Sequence, residues 1–424
     1  MSRNGLPHRA VAITGIGMVT SLGKGCETNW RRLAAGHSGV HRLTRFPTEG
    51  LKTTIGGSVD FLPVSPMCAP RLSLALALDA AQEAVTQSGI GEPGRFPGGL
   101  FLAAPPLEHE WPQRRGLAAR AAWRQDGACS YDDLLKAAAQ DSGDLHVDFM
   151  NGTLADRLAE AFGTQGSPIT LTTACASGAS AIQLGVESIR RGAKAALSVG
   201  TDGSIQMEAL IRFSLLSALS TSNDVPEKAA RPFSRNRDGF VMAEGAAALV
   251  LEDIAHAEAR GAEILGFVRG CGEAADTFHR TRSNPNGEAI IRSMASALAD
   301  AGVAPEDVDY INAHGTGTPE NDKMEAFGIQ NVFGARAGRL PISSNKSMIG
   351  HTLTAAGAVE AAFSVMTLRH QLLPPTINYD VPDPAIPLDV VPNAAREARV
   401  GTILSNSFGF GGQNVSLVLG STPD

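Results

Sequence analysis

Short apolar runs alternate with segments of helical periodicity along most of the chain. Residues 10–14, 98–103, 168–173 and 195–200, and the end of 240–252, are continuous apolar runs of strand length, as expected of strands covered on both faces. Helices are predicted over 26–35, 71–88, 153–162 and 255–260, the second closed by Gly89. The pattern then starts again, with strands at 264–268, 308–313, 403–406 and 415–419 and helices at 288–301 and 322–333. Two segments, 174–191 and 354–368, are built largely from Ala, Ser, Gly, Val and Leu and read as helices buried on all sides. Strands alternating with helices predict mainly parallel sheets covered by helices. The repetition predicts a duplicated α/β unit, with halves at 9–263 and 264–424. One stretch, 104–150, resists this scheme. It holds Pro105-Pro106, Trp111 and Trp123 and a helical pattern over 131–139, and suits a lid, an interface arm or a decoration.

Composition narrows the class without naming a chemistry. The 424 residues are 43% hydrophobic and 19% charged, with mean hydropathy near zero, enough to bury a large core. A net charge of −7, with no long basic run, argues against a nucleic-acid partner. Cys26, Cys68, Cys129, Cys175 and Cys271 are scattered, with no C-x-x-C pair. Neither a disulfide framework nor a zinc site is expected, and a cytoplasmic location is. No apolar run is long enough to span a membrane. The apolar start at 10–13 breaks at once into Gly15-Ile16-Gly17, so a buried strand is expected there rather than a secretory signal.

The candidate chemistry begins at Cys175, at the turn where a predicted strand enters a buried helix. Helix-start N–H groups and the positive end of the helix dipole favour thiolate, so a lowered thiol pKa is expected. The same backbone offers a donor to an oxyanion. The alternative is a buried cysteine that only fills space. In the second half His351 occupies the matching place, before the other alanine-rich helix, and His314 and Lys346 lie in polar turns after predicted strands. A structural, hydrogen-bonded role is the alternative for a lone histidine. No H-x-x-x-H or H-x-x-E-H pattern supports a metal pair. Gly15-x-Gly17 after a strand hints at a dinucleotide site, but Thr20 stands where a third glycine is needed.

Taken together, these residues closely resemble the elongating β-ketoacyl-acyl carrier protein synthases of the thiolase-like condensing enzymes. The matching motifs are Val11-x-Ile13-Thr14-Gly15-x-Gly17-x-Val19-Thr20-Ser21-Leu22-Gly23, Thr173-Ala174-Cys175-Ala176-Ser177-Gly178, and Arg231-Pro232-Phe233 through Arg237-Asp238-Gly239-Phe240. They continue with Asn312-Ala313-His314-Gly315-Thr316-Gly317-Thr318-Pro319, Asp322-Lys323-x-Glu325, Asn345-Lys346-Ser347-x-x-Gly350-His351, and Asn406-Ser407-Phe408-Gly409-Phe410-Gly411-Gly412. The resemblance spans about residues 10–100 and 150–420. Thiolases carry a second cysteine in the last loop, where this chain has Phe410. Starter-type synthases pair a histidine with an asparagine, where this chain has two histidines.

The resemblance implies a thiolase-like fold of duplicated α/β units, with mixed sheets in an α-β-α-β-α layering. It implies a cofactor-free, metal-free decarboxylating condensation between an acyl group on Cys175 and malonyl-acyl carrier protein. His314 and His351 would hold the enolate, Lys346 would place a cation beside them, and Glu325 would fix the loop holding Lys346. The N–H groups of Cys175 and Phe410 would form an oxyanion hole, with Phe410 as a gate between Gly409 and Gly411. Thr316 and Thr318 would meet the phosphopantetheine arm, and Phe408 would border the substrate. The implied partners are an acyl carrier protein and a second copy of the chain, whose Phe149 or Met150 would reach the neighbour's acyl pocket. Three departures stand out: Ala104-Pro105-Pro106-Leu107-Glu108 replaces a glycine-rich turn, the stretch to Met150 diverges, and the helix from Arg71 is poor in basic residues. They leave open a dedicated very-long-chain or polyketide pathway. Cys175 argues against a non-condensing chain-length partner subunit.

Overall fold

The computed structural model describes residues 10–123, 127–140 and 143–424; residue 9 and parts of the 104–150 stretch lie outside them. The principal strands are β1 (Val11–Thr20), β2 (Gly99–Ala103), β3 (Ile169–Leu171), β4 (Ala195–Asp202) and β5 (Gly245–Glu252), then β6 (Gly266–Ala275), β7 (Tyr310–Asn312), β8 (Pro341–Ser343), β9 (Thr402–Phe408) and β10 (Gln413–Gly420). The first five lie in the order β3-β2-β4-β5-β1 and the second five in the order β8-β7-β9-β10-β6. Each half therefore repeats one order, with its third strand at one edge and its first at the other. Pairings repeat as well: β3–β2, β2–β4, β8–β7 and β7–β9 are parallel, while β4–β5, β5–β1, β9–β10 and β10–β6 are antiparallel. The expectation of mainly parallel sheets is corrected, because β5 and β10 each return between two neighbours running the other way. A short antiparallel pairing of β1 with β6, from Val11↔Val268 to Ile13↔Gly266, joins the halves.

The layers follow from which helices have two apolar faces. Helix α1 (Ala69–Ser88) covers the outer face of β1, β4 and β5, and α6 (Glu288–Ala301) covers β6 and β10. Between the sheets lie α4 (Ser177–Arg190) and α8 (Ala356–His370); Ala356–Leu368 is buried throughout, as its all-round apolar pattern requires. Gly15-Ile16-Gly17, where the apolar run of 10–14 was expected to end, is instead the middle of β1, with a bulge between Ile13 and Gly15. A Cβ on Gly15 or Gly17 would meet Ala84 O at 2.0 Å or Ala80 O at 1.9 Å on α1. Gly270 and Gly272 of β6 stand in the same relation to Ala297 and Ser293 on α6. The glycines that suggested a cofactor site serve helix–sheet contact.

The central helices touch in a reciprocal way. A Cβ on Gly178 would meet Ala358 N at 2.5 Å, and one on Gly357 would meet Ala179 N at 2.5 Å. Both contacts are at helix starts, so the turns that precede α4 and α8 are brought side by side. The 104–150 stretch forms α2 (Trp111–Arg120), α3 (Tyr131–Gln140) and a short helix, Gly143–Asp148. It is anchored by Asp148, which holds Arg71 and Arg157, and by Glu108, which holds Arg212 on α5 (Met207–Leu215). No described helix is long and apolar enough to cross a membrane.

Candidate active site

Cys175 sits two residues before α4, and the turn that presents it is strained and knitted. Ala174 has φ 48°, a left-handed conformation uncommon for a residue with a side chain. Ser177 stabilises it: its hydroxyl accepts from Thr173 N–H at 2.7 Å and donates to Ala174 O at 2.6 Å. On the α8 side, His351 N–H donates to Val241 O at 2.7 Å, which fixes the histidine on the strand leading into β5. Its Nε2 lies 3.1 Å from Cys175 Sγ. His314, at the end of β7, completes the group, its ring centroid 5.3 Å from that of His351 at 83°.

Hydrogen bonds behind each ring determine what it can do in front. Leu353 N–H donates to His351 Nδ1 at 3.2 Å, so Nδ1 is the acceptor and the proton sits on Nε2, facing the sulfur. Lys346 Nζ, a group with donors only, lies 3.3 Å from His314 Nδ1 and assigns that ring the same tautomer. Its remaining donors go to His314 O at 2.6 Å and to the Glu360 carboxylate. Burial first, and then the Lys346 charge, hold both histidines well below the ordinary range, so both are neutral at pH 7. The site thus presents two neutral Nε2–H donors. Candidate ligand atoms of Cys175, His314 and His351 come within 4.8 Å of one another, a spacing that a metal could span. In these tautomers both inward nitrogens carry protons and offer no lone pair.

Burial pushes the Cys175 thiol up to about 11, against the pull of Lys346 and of the Phe410 N–H. The expected lowering by the helix start is corrected: the thiol rests protonated because the buried site disfavours charge more than its donors favour it. Iodoacetamide labelling of Cys175 is therefore expected to accelerate with pH, about tenfold per unit from 7 to 9, without levelling off. A plateau near neutrality would show that the thiolate is already formed.

The hydrogen bonds of Glu325 go to the His314 turn and to Asn406, not to the loop holding Lys346 as the resemblance implied. It accepts from His314 N–H at 2.9 Å and Gly315 N–H at 2.7 Å, and from Asn406 at 3.2 Å, so it fixes the His314 turn. The partner of Lys346 is Glu360, buried in α8. Sequence reasoning missed it, although one carboxylate inside an otherwise apolar buried helix is a signal, since a buried charge demands a partner. Asp322 was quoted only within a motif; it accepts from Phe233 N–H at 2.7 Å and Gly317 N–H at 3.1 Å and joins the 231–240 loop to the same turn.

These groups open on a cleft lined by Cys175, both histidines, Thr316, Thr318 and Phe410, among others. Phe408, Gly409 and Gly411 line it too. Thr316 and Thr318 share a hydroxyl hydrogen bond at 2.9 Å, and Thr318 caps α7 (Pro319–Phe333). The 409–412 loop is tethered: Gly411 N–H donates to Arg280 O at 2.7 Å, and Asp276 N–H to Gly412 O at 2.8 Å. Swinging Phe410 therefore means releasing a neighbouring loop, not only rotating about two glycines. The Ala104–Glu108 turn does not line this cleft. Met150 is exposed, and Phe149 packs edge-on against His109, both away from the cleft of their own chain.

A cysteine from the first half of a doubled α/β core, facing two N–H-donating histidines from the second, is the arrangement of a thiolase-like condensing enzyme. Comparison with known proteins gives the family. Residues 8–257 match the beta-ketoacyl synthase N-terminal domain and residues 265–380 its C-terminal domain. The chain belongs to the β-ketoacyl synthase family. It is 38% identical to 3-oxoacyl-[acyl-carrier-protein] synthase 2 of Coxiella burnetii, over 98% of this chain and 99% of that one. It is 35% identical to the tetracenomycin polyketide synthase ketoacyl synthase alpha subunit of Streptomyces glaucescens, over 97% of both. A type II polyketide ketosynthase, solved in complex with its acyl-carrier protein and a hexaketide, superposes with a TM-score of 0.83 at 31% identity, over 98% of this chain and all of that one.

Proposed function

We propose that the chain elongates acyl groups by condensing them with malonyl-acyl carrier protein, as in fatty acid synthesis. The observation that carries this is the convergence of Cys175 Sγ with two neutral Nε2–H donors whose tautomers are set from behind. First, the Cys175 sulfur attacks an acyl thioester, the bond to the carrier sulfur breaks, and the thiol proton leaves with the carrier thiol. The Phe410 and Cys175 N–H groups face the oxygen that becomes negative in that step. Malonyl thioester then enters with its thioester oxygen between His314 and His351. The bond to the carboxylate breaks, carbon dioxide leaves, and the electron pair forms an enolate held by the two N–H donors. The enolate carbon attacks the acyl-cysteine, Cys175 leaves as thiolate and takes a proton from solvent, and the product is a 3-oxoacyl carrier protein two carbons longer. None of these steps calls on a cofactor.

Thr316 and Thr318, side by side on the cleft wall, suit the amides of the phosphopantetheine arm. A homodimer is supported by β3, the edge strand of the first half, whose Ile169 is exposed along with Trp123, Tyr131 and Met150 nearby in sequence. Across such a dimer Phe149 and Met150 would border the neighbour's acyl pocket. Five free cysteines suit a reducing cytoplasm. A second reading, the same chemistry in a dedicated polyketide or very-long-chain pathway, is favoured by the divergent 104–150 stretch. The deciding experiment offers purified protein carrier-bound acyl chains of graded length, reads Cys175 occupancy by intact mass, then adds malonyl carrier. Stoichiometric loading followed by two-carbon extension is expected; no loading at any length would overturn the reading.

A further inference from the structure

A second cavity, of about 230 Å³, borders the same apolar cluster that walls the Cys175 cleft. Phe213, Phe240, Leu353 and Phe410 of that cluster face the cleft, while Ile205 and Phe46 of the same cluster face the second cavity. The cleft is also lined by the polar residues His279, Arg280, Arg282 and Asn321, so the wall formed by the apolar cluster is the side that matches a hydrocarbon chain. What lies beyond it is unusual for a greasy pocket.

Glu110 and Glu208 line the second cavity with only 8% and 7% of their surface exposed. Each uses one oxygen to cap a helix start: Glu110 accepts from Ala69 N–H at 2.5 Å at the head of α1, and Glu208 accepts from Trp111 N–H at the head of α2. Among the described residues, no donor reaches the second oxygen of either. Gln206, also on the wall, has a buried Oε1 with no hydrogen-bond partner. The nearby cation, Arg45, is already committed to Glu244 and Asp60, and Arg115 lies 5.4 Å over the Trp111 ring. Burial first, and then the neighbouring Glu208, push the Glu110 carboxyl up to about 7 against the pull of the Ala69 N–H. Capping explains why these carboxylates are buried, but not why each leaves its second oxygen without a donor beside the same cavity.

We infer that this cavity receives the far end of the acyl chain held on Cys175, and that Glu110 and Glu208 select chain ends bearing O–H or N–H donors over methyl ends. The inference rests on the elongating function proposed above and names its substrate class. Matched pantetheine thioesters of graded length, ending in methyl, hydroxyl or ammonium, are offered to wild-type enzyme and to an E110Q/E208Q variant. Glutamine keeps the capping oxygen, and an unchanged melting temperature checks that the variant is folded. The readout is the initial rate of Cys175 acylation by intact mass. At lengths that reach the cavity, donor-bearing chains are expected to load about tenfold or more faster than methyl-ended ones in wild type. That ratio should fall towards unity in the variant, while a purely structural role would slow all chains alike. The hydroxyl and ammonium arms separate a neutral donor from a cation. Equal or better loading of methyl ends at every length, or a ratio that the double substitution leaves unmoved, overturns the inference. Failure of every thioester to load would instead sink the elongating function.

Discussion

Cys175→Ala is expected to abolish condensation while leaving malonyl decarboxylation running. The substitution removes the only atom that can hold the acyl group, so product formation falls to background. It does not disturb the groups that set the histidine donors: Leu353 N–H behind His351 and Lys346 behind His314 remain in place. An alanine is also easily housed at a position that makes few side-chain bonds, so the melting temperature should change little. Carbon dioxide release from malonyl carrier and 3-oxoacyl product, measured on the same sample, separate the two steps. Product at wild-type rate from the alanine variant would end the proposed mechanism.

The histidines are expected to divide the reaction the other way. His314→Ala and His351→Ala should still accept an acyl group on Cys175 but lose elongation by roughly 10²-fold or more, the cost of deleting one donor to a developing oxyanion. His314→Asn restores an N–H near the same place and should recover part of the loss. The rear of the site is more fragile. Lys346→Met leaves Glu360 buried and alone, a change of the kind that costs about 3–5 kcal/mol, whereas Lys346→Met with Glu360→Gln should regain much of that stability without regaining rate. Single-turnover acylation, decarboxylation and thermal melts on these variants make the assignment. If the histidine variants fail to acylate yet decarboxylate normally, their roles are reversed.

Much of this site was legible because its residues sit in short turns between strongly patterned elements. A buried strand, a polar turn and an all-apolar helix occur twice, and the residues at the two turns, Cys175 and His351, meet in space. What could not be read were the partners brought from elsewhere in the chain. Glu360 and Lys346 lie on neighbouring elements but signal their pairing only through burial, and Glu325 meets His314 through a helix whose pitch alone aims it. The thiol pKa was misread for the same reason: helix starts are visible in sequence, whereas the desolvation that outweighs them depends on packing. Strand direction was misjudged because apolar runs report burial on both faces and not polarity of the chain. The use of Gly15 and Gly17 against Ala84 and Ala80 could not be read from the pattern, because it needed the helix in place.

The reciprocal contact of Gly178 with Ala358 and Gly357 with Ala179 has a consequence for what half of this molecule could do by itself. A single α/β unit could reproduce that crossing only by meeting an identical copy, and the two facing turns would then carry the same residue. Two thiols, or two imidazoles, would sit where one of each is wanted. A nucleophile opposed by a proton-bearing ring needs an asymmetric pair, and covalent fusion of two copies lets each turn change without the other. The strand order is held in common between the halves, while the chemistry lies entirely in where they have diverged.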